Sequence, residues 1–364
     1  RSMALLKAND IEHGPIECVF TRDEETGLTG AFEMKPGFMT GDYLINLDSE
    51  DEGQLFVSCA GGVRTEATYT VDEEKLPEGF STFNLVVKGL TGGHSGDDIN
   101  KKRANANKLL VRFLLEQSEK TDLRLCDIQA GGLHNAIPRE AHATVAVPTA
   151  YVATFGEELQ AFVEKVRDEF SATEPELTAV IEPVAAAPTC ICKEQAERLL
   201  KSLSVVHNGI FAMSQDLEGL VETSSNLASV RKHGNQIVAT TSQRSSVASN
   251  LEYMASVVRS AFELGGAKCV TNEGYPGWKM NPKSEILKVC VDSYKRLFGK
   301  DPLVRAIHAG LECGLFSEKY PHLDMVSFGP TLRGVHSPDE RLLIPTVQMV
   351  WDHLLDVLKN VPEK

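Results

Sequence analysis

Leu123-Arg124-Leu125-Cys126-Asp127-Ile128-Gln129 and Ala141-His142-Ala143-Thr144-Val145-Ala146-Val147 read as a pair of short strands, and their surroundings decide the fold class. A helix is expected over residues 104–116 before them, a second over 155–170 after them, and a further strand over 177–184. The same order recurs downstream: helix 194–206, strands 220–230 and 236–241, helix 250–264, strand 267–271. A repeated β-β-α-β order places helices on one face of an antiparallel sheet. Asn135 and Asn226 are expected to fall in the same strand of each copy.

Outside this middle section the pattern changes. Residues 16–20, 42–47 and 325–328 read as short buried strands, each followed by a polar or Gly/Pro turn. A helix over 284–298 would line one face with Ile286, Leu287, Val289, Cys290, Tyr294 and Leu297, and a closing helix is expected over 347–358. The expected architecture is α/β: a discontinuous, mostly parallel-sheet domain from residues 1–61 and 277–364, with an α+β domain inserted over 62–276. Its first residues, Arg1 to Leu6, suit the end of an amphipathic helix, so a segment upstream is expected to be missing.

The chain has 364 residues, room for about two domains at roughly 150 residues each. Lys and Arg total 37 against 51 Asp and Glu, a net charge of −14, which argues against tracking nucleic-acid phosphates. Apolar runs such as residues 342–351 are broken by Pro345 and Gln348 and fall short of the roughly 20 residues of a membrane span. The eight cysteines include no CxxC pair and read as free thiols of a reducing compartment, hence the cytoplasm. Cys190 and Cys192 form a CxC without a second thiol or imidazole pair, so a soft-metal site there is not expected.

Several segments carry residues suited to chemistry. Thr21-Arg22-Asp23-Glu24-Glu25-Thr26-Gly27 is expected to place three carboxylates at the carboxyl end of the 16–20 strand, where open α/β sheets bind ligands. Neighbouring like charges are most easily kept ionised by a cation, although an acidic run is often only a solvated loop. Asn46-Leu47-Asp48-Ser49-Glu50 repeats the arrangement at the next strand end, and Gly334-Val335-His336-Ser337-Pro338-Asp339-Glu340 would return a histidine to the same rim. Carboxylates with imidazole suit zinc or manganese. Gly92-Gly93-His94-Ser95-Gly96 brackets a histidine that could serve an anionic transition state, and its spacing is not that of a GxSxG nucleophile. Arg244, just past a strand, could clamp a carboxylate or be an ordinary surface arginine.

In this order TRDEETG, LDSEDEG, GGHSG, LHNAIPRE, SQRSS, YPGW, HAGLECG and GVHSPDE resemble the co-catalytic zinc dipeptidase and carboxypeptidase family, in its aminoacyl-histidine dipeptidase branch. The resemblance covers nearly the whole chain and implies a zinc-peptidase-like catalytic domain with an inserted lid that pairs in a homodimer. It implies Glu24 as general base, Glu25, Asp48 and His336 as metal ligands, and two zinc ions in the complete enzyme, with manganese or cobalt as alternatives. His94 would hold the oxyanion, Arg244 the substrate carboxylate, and Asn135 would face the substrate; Glu312 would lie near the site without an assigned role. The expected substrate is a small peptide, Xaa-His and other dipeptides; an aminoacylase, carboxypeptidase, tripeptidase or non-catalytic fragment are the alternatives. The family's upstream His-x-Asp and bridging aspartate have no counterpart here, since His322-Leu323-Asp324 precedes a strand instead of ending one, so the chain is expected to be inactive by itself.

Overall fold

A computed structural model describes residues 2–8, 11–24, 28–215, 217–333 and 340–362. The chain forms two compact units, one from Arg1–Gly61, Ser214–Leu220 and Tyr275–Lys364, the other from Gly62–Met213 and Val221–Gly274.

The first unit is built on a four-stranded sheet in the order Tyr43–Asn46, Asp324–Ser327, Gln54–Cys59, Leu303–Ile307. Each outer pair is parallel, Ile45 opposite Val326 and Val304 opposite Leu55, and one antiparallel contact, Ser327 with Phe56, joins the pairs. Because side chains alternate across a strand, Ile45 and Val326 enter a core with Ile286, Cys290, Val350 and Leu354. Leu44 and Met325 enter the opposite core with Trp278, Cys313 and Phe316. Helix Glu285–Phe298 starts at Ser284, whose hydroxyl accepts from the Leu287 N–H, and ends at Gly299 with φ 69°, a residue type suited to that left-handed conformation.

The expected strand over 16–20 does not form. Glu17 accepts instead from the Thr40 N–H and hydroxyl at 2.9 and 2.5 Å, and Phe20 is exposed, so this apolar run crosses the surface without a partner strand.

In the second unit a nine-stranded sheet runs Thr178–Pro183, Phe80–Lys88, Ala141–Pro148, Arg124–Gly131, Val221–His233, Gln236–Ser245, Gly61–Thr70, Lys268–Thr271, with Gly209–Met213 pairing beside Val221–His233. Each half lists the same elements from edge to centre: the strand after the second helix, a long leading strand, then the two strands of the hairpin. The halves meet where Gln129, Ala130 and Gly131 pair with Arg231, Val230 and Ser229. Helices Ala106–Lys120, Val152–Glu169, Lys193–Val205 and Ala248–Leu264 contribute Phe113, Phe155, Leu199 and Phe262 to one core, so all four cover the same face. Phe113 centres that packing, 5.4 Å from Phe155 and 5.2 Å from Phe162 between ring centroids. Asn226 lies in a strand, but Asn135 does not: it sits in the turn before Ala136–Ile137, because the chain leaves the sheet after Gly131.

Candidate active site

At the carboxyl ends of the parallel pair Tyr43–Asn46 and Asp324–Ser327, a hydroxyl and amide network fixes the turn that carries Asp48. Asn46 Oδ1 accepts from the Asp48 N–H at 3.1 Å and from Ser327 Oγ at 2.7 Å, and Ser327 Oγ lies 2.6 Å from Ser49 Oγ. Gly329 lets the two turns touch, since a Cβ there would lie 1.7 Å from the Ser49 carbonyl oxygen. Beyond it, Leu332–Arg333 pairs with Arg341–Leu342, the Leu332 N–H donates to Glu50 O at 3.0 Å, and Arg333 Nη1 lies 2.9 Å from Asp51 Oδ1. The described residues on either side of 334–339 are thus tied beside the Asp48 turn. His336 itself, with Glu25, lies outside the described residues.

Glu24 is half-buried, and its carbonyl accepts from the Leu28 N–H at 3.0 Å before helix Thr29–Glu33. Three residues earlier, Thr21 hydrogen-bonds the Glu312 carboxylate. Glu312 opens helix Glu312–Lys319 and is 8% exposed. Burial pushes its carboxyl above the ordinary range; the Thr21 bond opposes this and the Asp48 charge adds to it. Its Oε1 has no hydrogen-bond partner among the described residues. The segment of Glu24, the turn of Asp48 and the start of this helix therefore converge on one rim.

Two motifs that looked disconnected in sequence build the floor beneath Glu312. A Cβ on Gly314 would meet the Pro276 carbonyl oxygen at 2.3 Å, and one on Gly310 would meet the Tyr275 ring at 2.8 Å. The HAGLECG and YPGW segments pack backbone on backbone, and Trp278 exchanges hydrogen bonds of 2.9 Å with Cys59. The cysteines within this floor, Cys59 and Cys313, are fully buried, and desolvation raises both thiols, Cys59 to about 11.

The rim suits a divalent cation. Its donors are hard carboxylate oxygens, two of its carboxylates disfavour one another's charge, and one oxygen is buried without a partner among the described residues. The resemblance implies Asp48 on one metal and, on the other, Glu25 and His336, which lie outside the described residues. Among the described residues no group of three His, Cys, Asp or Glu stands ready as a metal site.

The second unit gathers a separate, cationic set. Gly93–His94 pairs with Ala136–Ile137, and the Ser95 N–H donates to Asn135 O at 2.8 Å, so His94 and exposed Asn135 are neighbours. His94 Nδ1 accepts from the backbone N–H groups of Gly96 and Asp97 at 3.3 and 3.2 Å. Asp97 Oδ2 lies 3.4 Å from Nδ1, and its carboxyl is held below the ordinary range by that histidine bond, with a further contribution from Arg244. Arg244, 7% exposed, pairs with Ser224 in the central hairpin. His134 is held low by burial and by the Arg64 and Arg244 charges. His94, His134, Arg64 and Arg244 form a basic enclave in an acidic chain, fit to receive a carboxylate. Sequence reasoning missed Asp97, His134 and Arg64, although His134 stands within the LHNAIPRE motif.

A family model described as a peptidase dimerisation domain, of the M20 peptidases, matches residues 78–177. The chain is 40% identical over 363 residues to the cytosol non-specific dipeptidase of Escherichia coli K12, covering all of this chain and 75% of that protein. The crystal structure of aminoacylhistidine dipeptidase from Vibrio alginolyticus superposes with a TM-score of 0.95 at 41% identity, over all of this chain and 74% of that one. A Bacillus cereus aminopeptidase PepT shares the fold at 13% identity, with a TM-score of 0.52 over 98% of this chain and 67% of that one. The chain belongs to the M20 peptidase family, in the branch of these cytosol non-specific and aminoacylhistidine dipeptidases.

Proposed function

We propose that the protein hydrolyses dipeptides, Xaa-His among them, in a metal-dependent reaction. The observation that carries this reading is the convergence of the Glu24 segment, the Asp48 turn and Glu312 on one strand-end rim, in a chain 40% identical to a dipeptidase. In a chain of its relatives' full length two zinc ions, one on Glu25 and His336 and the other on Asp48, would acidify a water and polarise the scissile carbonyl. Glu24 takes the proton of the attacking water and delivers it to the departing amine. His94 donates to the oxygen that gains charge, and Arg244 forks onto the free C-terminal carboxylate. Asn135 supplies a further polar contact to the peptide.

Restriction to short peptides follows from reading a terminal carboxylate with a fixed guanidinium. The name of the Escherichia coli relative supports a cytoplasmic location, and no described helix is long and apolar enough to cross a membrane. Hydrolysis of beta-alanyl-histidine with and without zinc tests the reading, both on this chain and on a chain extended to its relatives' length. Zinc-dependent turnover in the extended chain is expected; its absence there would refute the proposal. Turnover by the 364-residue chain alone would show that the described rim suffices.

A further inference from the structure

Glu312 has no part in the chemistry above, yet its surroundings ask for a cation. Its side chain is withdrawn from water, 8% exposed. Thr21 donates to its carboxylate, while Oε1 is buried with no partner among the described residues. A desolvated carboxylate oxygen left unpaired is costly, and such groups persist where a ligand completes them. A neighbouring carboxylate, Asp48, deepens the negative potential. Among the described residues no lysine or arginine bonds Glu312, and Lys319 of the same helix is committed to the carbonyls of Ala31, Phe32 and Met34.

We propose that Glu312 is the anchor for the free amino group of the substrate, its buried Oε1 accepting a hydrogen bond from the substrate's primary ammonium beside the Asp48 turn. This rests on the dipeptidase reading and sharpens it. A dipeptide carries one backbone ammonium, the donor this oxygen lacks. An N-acyl amino acid has its acyl carbonyl at the scissile position and only hydrocarbon where the ammonium would sit, so nothing neutralises the desolvated charge. One residue thus separates dipeptides from N-acylated substrates that the metal ligands treat alike. Beneath the anchor, Gly314 lies against the Pro276 carbonyl and Gly310 against the Tyr275 ring, with no room for a Cβ at either glycine.

The test compares a free-amine dipeptide with its N-acetyl derivative, in wild type and in Glu312→Gln, by hydrolysis with zinc and by calorimetric binding of a non-hydrolysable dipeptide isostere. Removing the charge should weaken the free-amine ligand roughly 10- to 150-fold, seen in KM and in Kd, the weight of one charge-assisted hydrogen bond. The N-acetyl ligand should be unaffected or bind better, and zinc content should be unchanged. Glu312→Asp, which keeps the charge but retracts it, should fall between. Because the amide is nearly isosteric and relieves a buried charge, melting should not be lowered. Equal losses on both ligands, or loss of zinc, would overturn the proposal, the latter by making Glu312 a metal ligand. Glu312-dependent binding without hydrolysis would refute the dipeptidase reading and leave the anchor standing, whereas hydrolysis indifferent to Glu312 would do the reverse.

Discussion

Gly329 stands where the two strand-end turns are closest, and a methyl group there would overlap the Ser49 carbonyl oxygen at 1.7 Å. No side-chain rotation relieves a clash with backbone, so Gly329→Ala must displace the Asp48 turn. The expected loss is about 1–3 kcal/mol in urea unfolding, with a weaker zinc affinity by titration; full stability and unchanged affinity would show that the turns yield freely. Arg244→Lys tests the enclave at the same scale. A lysine cannot supply the two parallel bonds of the guanidinium, so hydrolysis of a dipeptide should fall by about thirtyfold or more, corresponding to roughly 2–5 kcal/mol. A C-terminally amidated analogue should lose much less, and equal losses would remove Arg244 from carboxylate reading. Asp48 is legible in the sequence because an apolar run stops at a carboxylate cluster. Glu312 is placed near the site by the resemblance alone and its role is not legible, since burial and an oxygen unpaired among the described residues belong to tertiary packing, and Asp97 is hidden in a run of polar loop residues.

Among the elements, helix Ile344–Asn360 places His353 in the core between Tyr294 and Phe328, at centroid distances of 5.3 and 4.8 Å, with Nε2 2.9 Å from the Cys290 carbonyl oxygen. Burial lowers its pKa, while the Cys290 carbonyl and the Asp356 and Glu52 charges act the other way. The unfolded chain therefore binds a proton that the fold resists. This contribution to stability is intact above about 6.5, the usual histidine value, and is lost as pH falls below it toward the depressed folded value. Wild-type melting should drop over that interval, and His353→Gln, which keeps a donor for the Cys290 carbonyl, should show a shallower slope; identical slopes would place the acid sensitivity elsewhere. The same scale shows where sequence patterns fail. Residues 16–20 are apolar enough for a strand but find no partner strand among the described residues. Gly61–Thr70 does form one, its alternation disguised because the inward positions Thr65 and Ala67 are small.

At the scale of the whole molecule, the inserted unit's sheet is two similar halves joined through three register pairs, against eight between Phe80–Lys88 and Ala141–Pro148. Hydrogen exchange should find amides of residues 129–131 and 229–231 less protected than those of 83–87, and uniform protection would show that the halves behave as one. We also propose that this unit pairs two chains, supported by the dimerisation-domain match over 78–177 and by the open edge strand Thr178–Pro183. Sedimentation at micromolar concentration should give a dimer, and a monomer would count against it. The fold class was readable because helices and strands alternate differently in the middle and at the ends. The strand order was not, since pairings such as Lys268–Thr271 with Gly61–Thr70 join residues whose separation no local pattern records.

The interruption of the first unit by the second also sets an order in time. Ser327 must bond Asn46 across 281 residues of chain, so the sheet that carries Asp48 cannot close until synthesis has passed the last strands. The inserted unit ends at Gly274 and has all its strands before Leu303–Ile307 is made. Folding inward from the middle shortens the loop that remains to be closed, because a finished unit spans its own ends. The strands of residues 43–59 meanwhile wait with an unpaired edge, the period in which a nascent chain is most exposed to aggregation and most in need of a chaperone.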